Sequence, residues 1–263
     1  MKAVMILATV MILMAAVMTN FRPLRSPQME QTLLRAAASD SEAAAILRAT
    51  VRIRIVAPYL DGRGDRVMMR DSGRPVGLDA INRGLGTLVT DNGRTLIVTH
   101  DHYNVMNTAV AEATVIDYTG RETTLPIDTF RQLIRYHNNG VLVLEAPAGL
   151  PAGLPLGHGA AVQPGSTVRL VHRDAAAETL SVVDAVVEAW IDYRGVPSYT
   201  LGNVNGEVVA PGNSGGGVWA GGRLVGVIQR TILTADGTGD APPAPSHRSY
   251  ALRLAEVRLA ALE

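Results

Sequence analysis

The spacing of apolar and polar positions changes near Thr50. Ser26 to Arg48 is rich in Ala, Leu, Glu, Gln and Arg with apolar residues at helical spacing, which predicts a helix or two. From Thr50 the period is two. Val51-Arg52-Ile53-Arg54-Ile55-Val56 alternates apolar with charged, as a strand with one wet face does. Asp61 to Arg83 is charged and glycine-bearing without a clear period and predicts a long surface hairpin or loop. Gly84 to Thr90 and Thr95 to Thr99 flank Asp91-Asn92-Gly93, where Asn-Gly supplies the positive φ of a tight hairpin. A second hairpin joins Ala113–Tyr118 to Glu122–Ile127 through Thr119-Gly120, and Val141–Leu144 is a short apolar strand.

Alternating prolines and glycines from Pro147 to Pro155 suit neither helix nor central strand, so they read as a linker. Beyond it, Thr167–Val171, Leu180–Trp190, Tyr199–Leu201 and Arg223–Ile228 are again short strands. Thr234 to Ser246 is loop, and Tyr250 to Leu262 returns to helical spacing. Many short strands separated by turns predict an all-β fold of two six-stranded antiparallel barrels, with an N-terminal helical segment and a C-terminal helix. The lobes would join near 147–156 within a domain covering 50–263, after a helical spacer at 26–49.

The N-terminus adds a compartment. Met1-Lys2 and the apolar run Ala3–Met18 have the form of an export signal, so residues 1–25 are expected to act as signal peptide or membrane anchor. The protein is then exported, periplasmic or extracellular, and meets a membrane only through this segment. Composition narrows the chemistry. Of 263 residues, 47% are hydrophobic, enough for a full core. The 24 basic and 24 acidic residues balance, leaving no basic footprint for nucleic acid. Absence of cysteine excludes disulfides, thiolate metal sites and a cysteine nucleophile. His100-Asp101-His102 lacks a third ligand cluster, so no metal or other cofactor is expected.

Candidate chemistry centres on Ala210-Pro211-Gly212-Asn213-Ser214-Gly215-Gly216-Gly217, one serine among glycines. Such a turn lets a substrate carbonyl approach, while the N–H groups of Gly212 and Ser214 converge where negative charge develops. Serine needs a base. His102 is the best placed, because the β-branched run Thr95–Thr99 stops at a polar turn and presents it at a strand end.

Gly212-Asn213-Ser214-Gly215-Gly216 and Thr99-His100-Asp101-His102 resemble the nucleophile and Thr-x-x-His motifs of the trypsin-like (chymotrypsin-fold) serine proteases, most closely their bacterial high-temperature-requirement branch. The resemblance runs from about Thr50 to Ala255 and implies a serine endopeptidase acting on polypeptides, with Ser214 as nucleophile and His102 as base. It also shows a departure. Where the family opens a strand with its catalytic aspartate, this chain reads Asn138-Asn139-Gly140-Val141-Leu142. Asparagine can orient an imidazole but cannot stabilise imidazolium by charge, and replacing the triad Asp by Asn costs about 10⁴ in kcat. Three alternatives follow: a carboxylate reaches His102 from Asp101, Asp117 or Asp128; Asn138 orients it in a slow enzyme; or the fold binds peptides without cutting them. By the same resemblance Val208 lies at the pocket base, and Val227, Ile228 and Gln229 pair with substrate backbone. An apolar base suits aliphatic or small side chains better than Lys or Arg.

Overall fold

Strand β1 (Thr50–Pro58) has the predicted alternation, burying Val51, Ile53 and Ile55 and leaving Arg52 and Arg54 partly exposed. The computed structural model describes residues 40–58, 63, 65, 67–71, 74–77, 79–101, 103, 112–138, 140–156, 162–174, 179–193, 196–203, 212–231 and 248–253. The segment predicted for export lies outside them, as does 26–39 of the spacer. What is described of the spacer is helix α1 (Ser41–Arg48), capped by the Asp40 carboxylate, which accepts from the N–H groups of Glu42 and Ala43.

Within the segment expected to be a surface hairpin or loop, β2 (Met68–Asp71) and β3 (Arg74–Gly77) form a two-stranded hairpin. β4 (Asp79–Asp91) and β5 (Arg94–His100) meet at the Asn-Gly turn, with φ of 47° at Asn92 and 76° at Gly93. β6 (Glu112–Ile116) and β7 (Glu122–Pro126) form the second predicted hairpin. Two elements had no clear sequence signal. They are the short helix α2 (Ile127–Gln132), burying Ile127 and Phe130, and β8 (Ile134–Asn138), which pairs with β9 (Val141–Glu145).

The first lobe is one eight-stranded sheet in the order β7-β6-β1-β4-β5-β9-β8, with β10 (Leu154–Pro155) added in parallel to β4. This is the first of the two expected antiparallel barrels, with eight strands rather than six, and it curls without closing among the described residues. The second lobe does close, in the order β11 (Thr167–Asp174), β12 (Thr179–Tyr193), β13 (Val196–Asn203), β16 (Arg248–Arg253), β15 (Arg223–Thr231), β14 (Gly217–Ala220). Its last strand corrects the start of the predicted C-terminal helix. Tyr250 to Arg253 is part of β16, which pairs with β13 on one side and β15 on the other. A strand there joins β13 to β15 and completes the barrel, so tertiary context overrides helical spacing. Residues 254–263 lie outside the described set.

The lobes share a core. Leu85, Val89, Leu96, Val98, Val141 and Val143 of the first pack in one cluster with Val171, Leu180, Trp219, Leu224 and Val227 of the second, together with Ile46 and Leu47 of α1. The linker is stitched to both sides. Leu154 and Pro155 pair with Val89 and Thr90, Thr90 Oγ1 donates to the Gly153 carbonyl (3.0 Å), and Leu156 bridges to Leu224. Helix α1 leads into β1, while Arg169 of β11 grips Asp40 (2.8 Å) and Glu42 (3.2 Å), and Glu42 accepts from Gly222 N–H (2.8 Å). The seam between the lobes is therefore a packed interior.

Candidate active site

Ser214 sits on this seam, in a loop tied to both lobes. Its carbonyl accepts from Leu85 N–H of β4 (2.8 Å), while Gly215 N–H donates to the Ile228 carbonyl (2.7 Å) and Ile228 N–H to that of Gly216 (2.8 Å). Gly216 N–H turns back on the Asn213 carbonyl (3.0 Å). Two glycines are required by space as well as by φ. At Gly215 (φ 86°) a Cβ would collide with the Leu85 carbonyl and Thr99 Oγ1, and at Gly212 (φ 97°) with the Arg173 guanidinium.

Asn213 is fully buried and uses its side chain as a peptide would. Its Oδ1 accepts from Arg173 N–H, and its Nδ2 donates to the Arg173 carbonyl (3.4 Å). The loop is thereby paired to the end of β11. This role could not be read from the motif, since its partner lies 40 residues away in sequence. Ser214 Oγ is partly buried and donates to the Gln229 carbonyl (3.1 Å). The N–H groups of Gly215 and Gly216 are thus engaged, the first by β15 and the second within the loop, and neither is available to an oxyanion.

Gln229 occupies a bulge, where β15 shifts register against β16 between Ile228 and Arg230. The extra residue turns its carbonyl to Ser214 and its side chain across the seam, where Nε2 donates to the Gly140 carbonyl. Asp101 N–H meets the same carbonyl (3.1 Å). The turn after Asn138 is thus held by β15 and by the end of β5. Asn138 itself is opposite Val141, and Val141 is opposite His100 on its other side, so the three form one row across the sheet.

His102 and Val208 lie outside the described residues. Of the alternative carboxylates, Asp117 is engaged in its own turn, its Oδ1 accepting from Thr119 N–H (2.8 Å), Thr119 Oγ1 (2.6 Å) and Arg121 N–H (3.1 Å). Asp128 is exposed and pairs with Arg131 (2.8 Å). Asp101 adjoins the Asn138–Gly140 turn through its backbone. The substrate-pairing role expected of Val227 and Ile228 does not fit the ladder. Both are buried, with β16 on one side and Gly217, Gly216 and Gly215 on the other. On that second side the pairing among the described residues ends at Ile228.

His100 has a structural place. It is buried and packs on Tyr103 (centroids 4.0 Å, interplanar 34°), with its ring against the backbone of Gly84 and Gly215. Thr99 Oγ1 donates to the Leu85 carbonyl (2.6 Å). Burial pushes the Tyr103 hydroxyl well above its ordinary pKa, so it stays protonated beneath the nucleophile loop. Among the described residues no three His, Asp or Glu side chains gather as a metal set.

No family model and no curated protein matches the chain in sequence. Solved structures match it in fold. The Rv3671c protease of M. tuberculosis in its active form is 18% identical, with a TM-score of 0.56 over 86% of both chains. Its inactive form is 16% identical, with a TM-score of 0.52 over 90% of this chain and 95% of that one. The HtrA-type protease AlgW with a decapeptide is 14% identical, with a TM-score of 0.55 over 81% of this chain and 62% of AlgW. The chain thus spans less than two thirds of AlgW. The fold is that of the trypsin-like serine proteases and resembles the HtrA type.

Proposed function

We propose that the chain is a serine endopeptidase. The observation supporting this is the Ser214 hydroxyl, partly buried on the seam of a protease fold in a glycine-rich loop bonded to both lobes. In this mechanism His102 takes the Ser214 proton as Oγ attacks the scissile carbonyl, and the N–H groups of Gly212 and Ser214 receive the oxyanion. The tetrahedral intermediate collapses as His102 gives the proton to the leaving amine, and water attacking by the reverse path releases the acyl group. The amino-terminal side of a polypeptide substrate would lie extended along the β15 edge from Gln229, main chain to main chain. Val208 would line the pocket for the residue before the cut. Asn138 orients His102 without charge, which sets the expected rate about 10⁴ below a full triad.

Asn138 favours a second reading, a protease fold that binds peptides without cutting them. The apolar run Ala3–Met18 supports export in either case. No described helix is long and apolar enough to cross a membrane. Treating the folded full chain with a fluorophosphonate and mapping adducts by mass spectrometry separates the two. A single adduct on Ser214, abolished by denaturation, is expected of the enzyme. No adduct under conditions that label an ordinary serine protease leaves the binding module.

A further inference from the structure

Gln229 uses both of its ends at the seam. Its carbonyl accepts from the Ser214 hydroxyl (3.1 Å), and its side-chain Nε2 donates to the Gly140 carbonyl. The Asp101 N–H donates to that same carbonyl (3.1 Å), so one oxygen takes a bond from each lobe. Gly140 follows Asn138 by two residues, and Asp101 immediately precedes His102. One carbonyl therefore ties the strand facing the nucleophile to the chain entering the expected base and to the turn leaving the expected orienting residue.

The local structure is shaped around this amide. The bulge in β15 sets Gln229 apart from the regular ladder with β16, and a bulge re-aims the side chain it carries. Gly140 has a φ of 80°, and a Cβ on it would lie 3.0 to 3.2 Å from the atoms of the Gln229 amide. The Gln229 side chain is buried. An apolar side chain of the same length would fill that space without desolvating an amide. What the amide adds is direction, because a hydrogen bond fixes both the separation and the angle of the two segments it joins.

We infer that Gln229 is a positioning residue. Through the Gly140 carbonyl its side chain sets the turn after Asn138 and the approach to His102 against Ser214, so that hydroxyl and base meet in one register. This rests on the endopeptidase reading. It gives the buried amide a part in the rate, whereas pairing with substrate, the role the family resemblance implies, would fall to the main chain of Gln229. A misplacement of about 1 Å between reacting groups costs about 10² in rate, which sets the size of the effect.

The test uses the full chain with two substitutions. Gln229→Met keeps the length and the main-chain carbonyl but removes the donor, and Gln229→Glu keeps the shape. Phe130→Leu, in the first-lobe core, controls for lost stability. The readouts are Tm, the rate of fluorophosphonate labelling at Ser214, and kcat and KM on a quenched-fluorescent peptide with Val before the cut. Gln229→Met should lower kcat and the labelling rate by about 10² with KM within about twofold of the parent's, while Phe130→Leu keeps the parent's kcat in its folded fraction. In Gln229→Glu the carboxylate cannot donate to Gly140 but its protonated form can, so its rate relative to the parent's should rise as pH is lowered. Folded Gln229→Met that labels Ser214 at the parent's rate overturns the inference. So does a raised KM at unchanged kcat, which makes the side chain a substrate contact, and so does an equal fall of kcat in Phe130→Leu. If Gln229→Met does not fold, Gln229→Glu decides, and a rate ratio independent of pH overturns the inference. A parent that takes no label at Ser214 removes the endopeptidase reading itself, and the positioning role falls with it.

Discussion

Asn213→Ala is the sharpest perturbation of the nucleophile loop, because the side chain it removes is fully buried and pairs with both backbone polar groups of one residue, Arg173. The Arg173 N–H would lose its acceptor, and a buried donor left unsatisfied costs about 1–3 kcal/mol. The second bond, at 3.4 Å, is long and adds less, so about 2–4 kcal/mol in all is expected. For a chain of this size that lowers Tm by roughly 5–15 °C. Activity should fall further than stability. With Asn213 gone, Gly212 is no longer held to β11, and loss of one oxyanion donor costs about 10²–10³ in kcat. Thermal unfolding and kcat would be measured on the same preparation, at a temperature where the variant is folded. Asn213→Asp is the control for shape. It keeps the acceptor for Arg173 N–H but sets a carboxylate oxygen against the Arg173 carbonyl, so it should not rescue. A Tm within 2 °C of the parent and an unchanged kcat in Asn213→Ala would show that the amide pairing neither stabilises the fold nor positions the loop.

Two further outcomes are expected. The Arg169 guanidinium beside Asp40, aided by the N–H groups it caps, holds the Asp40 carboxyl below its ordinary value. A depressed folded-state value means the stabilisation is present above the unfolded pKa of about 3.9 and lost as pH falls through the folded one. The Tm difference between the parent and Asp40→Asn should thus be constant from pH 7 to about 5 and close below about 4; a gap that persists to pH 2 would detach it from this ionisation. Asn138→Asp should raise kcat, by up to about 10⁴ where the rest of the site is preorganised. No gain in a folded variant would remove Asn138 from the orienting position and turn attention to Asp101.

The strands were legible wherever alternation was clean and the turn residues explicit, as in β1 and the Asn92-Gly93 hairpin. The C-terminal strand was not. Leu252, Val257 and Leu259 have helical spacing, yet Arg248–Arg253 is strand because it lies between β13 and β15 and closes the barrel between them. The serine loop was visible as glycines around one hydroxyl, but not which groups spend the glycine N–H bonds. Two of the three residues expected to pair with substrate, Val227 and Ile228, were misjudged for a related reason. The family resemblance pointed to Val227 and Ile228, and local sequence carries no sign that Gly215, Gly216 and Gly217 fill that edge. Long-range pairs such as Asn213 with Arg173, or Gln229 with Gly140, leave no periodic trace.

These long-range pairs explain why the serine loop can act from the seam rather than from either lobe. Ser214 has its carbonyl on Leu85 of the first lobe, its neighbour Gly215 on Ile228 of the second, and Asn213 on Arg173 of the second. Gln229 repeats the crossing in the other direction, from β15 to Gly140. A relative shift of the lobes would therefore strain the Leu85–Ser214 and Gln229–Gly140 bonds together, and these help to position the Ser214 loop. The hydrophobic cluster shared across the seam, with Trp219 buried at its second-lobe side, resists such a shift through a term proportional to apolar area. Helix α1 adds to it. Ile46 and Leu47 are packed in that cluster, the chain continues from α1 into β1 of the first lobe, and Arg169 of the second grips the helix start. Loosening the Asp40–Arg169 grip thus frees one end of a brace whose other end is the strand carrying Arg52 and Arg54. Substitutions remote from Ser214 but on this brace should lower kcat along with stability, whereas equal losses of stability within the first-lobe core around Phe130 should leave kcat of the folded fraction unchanged.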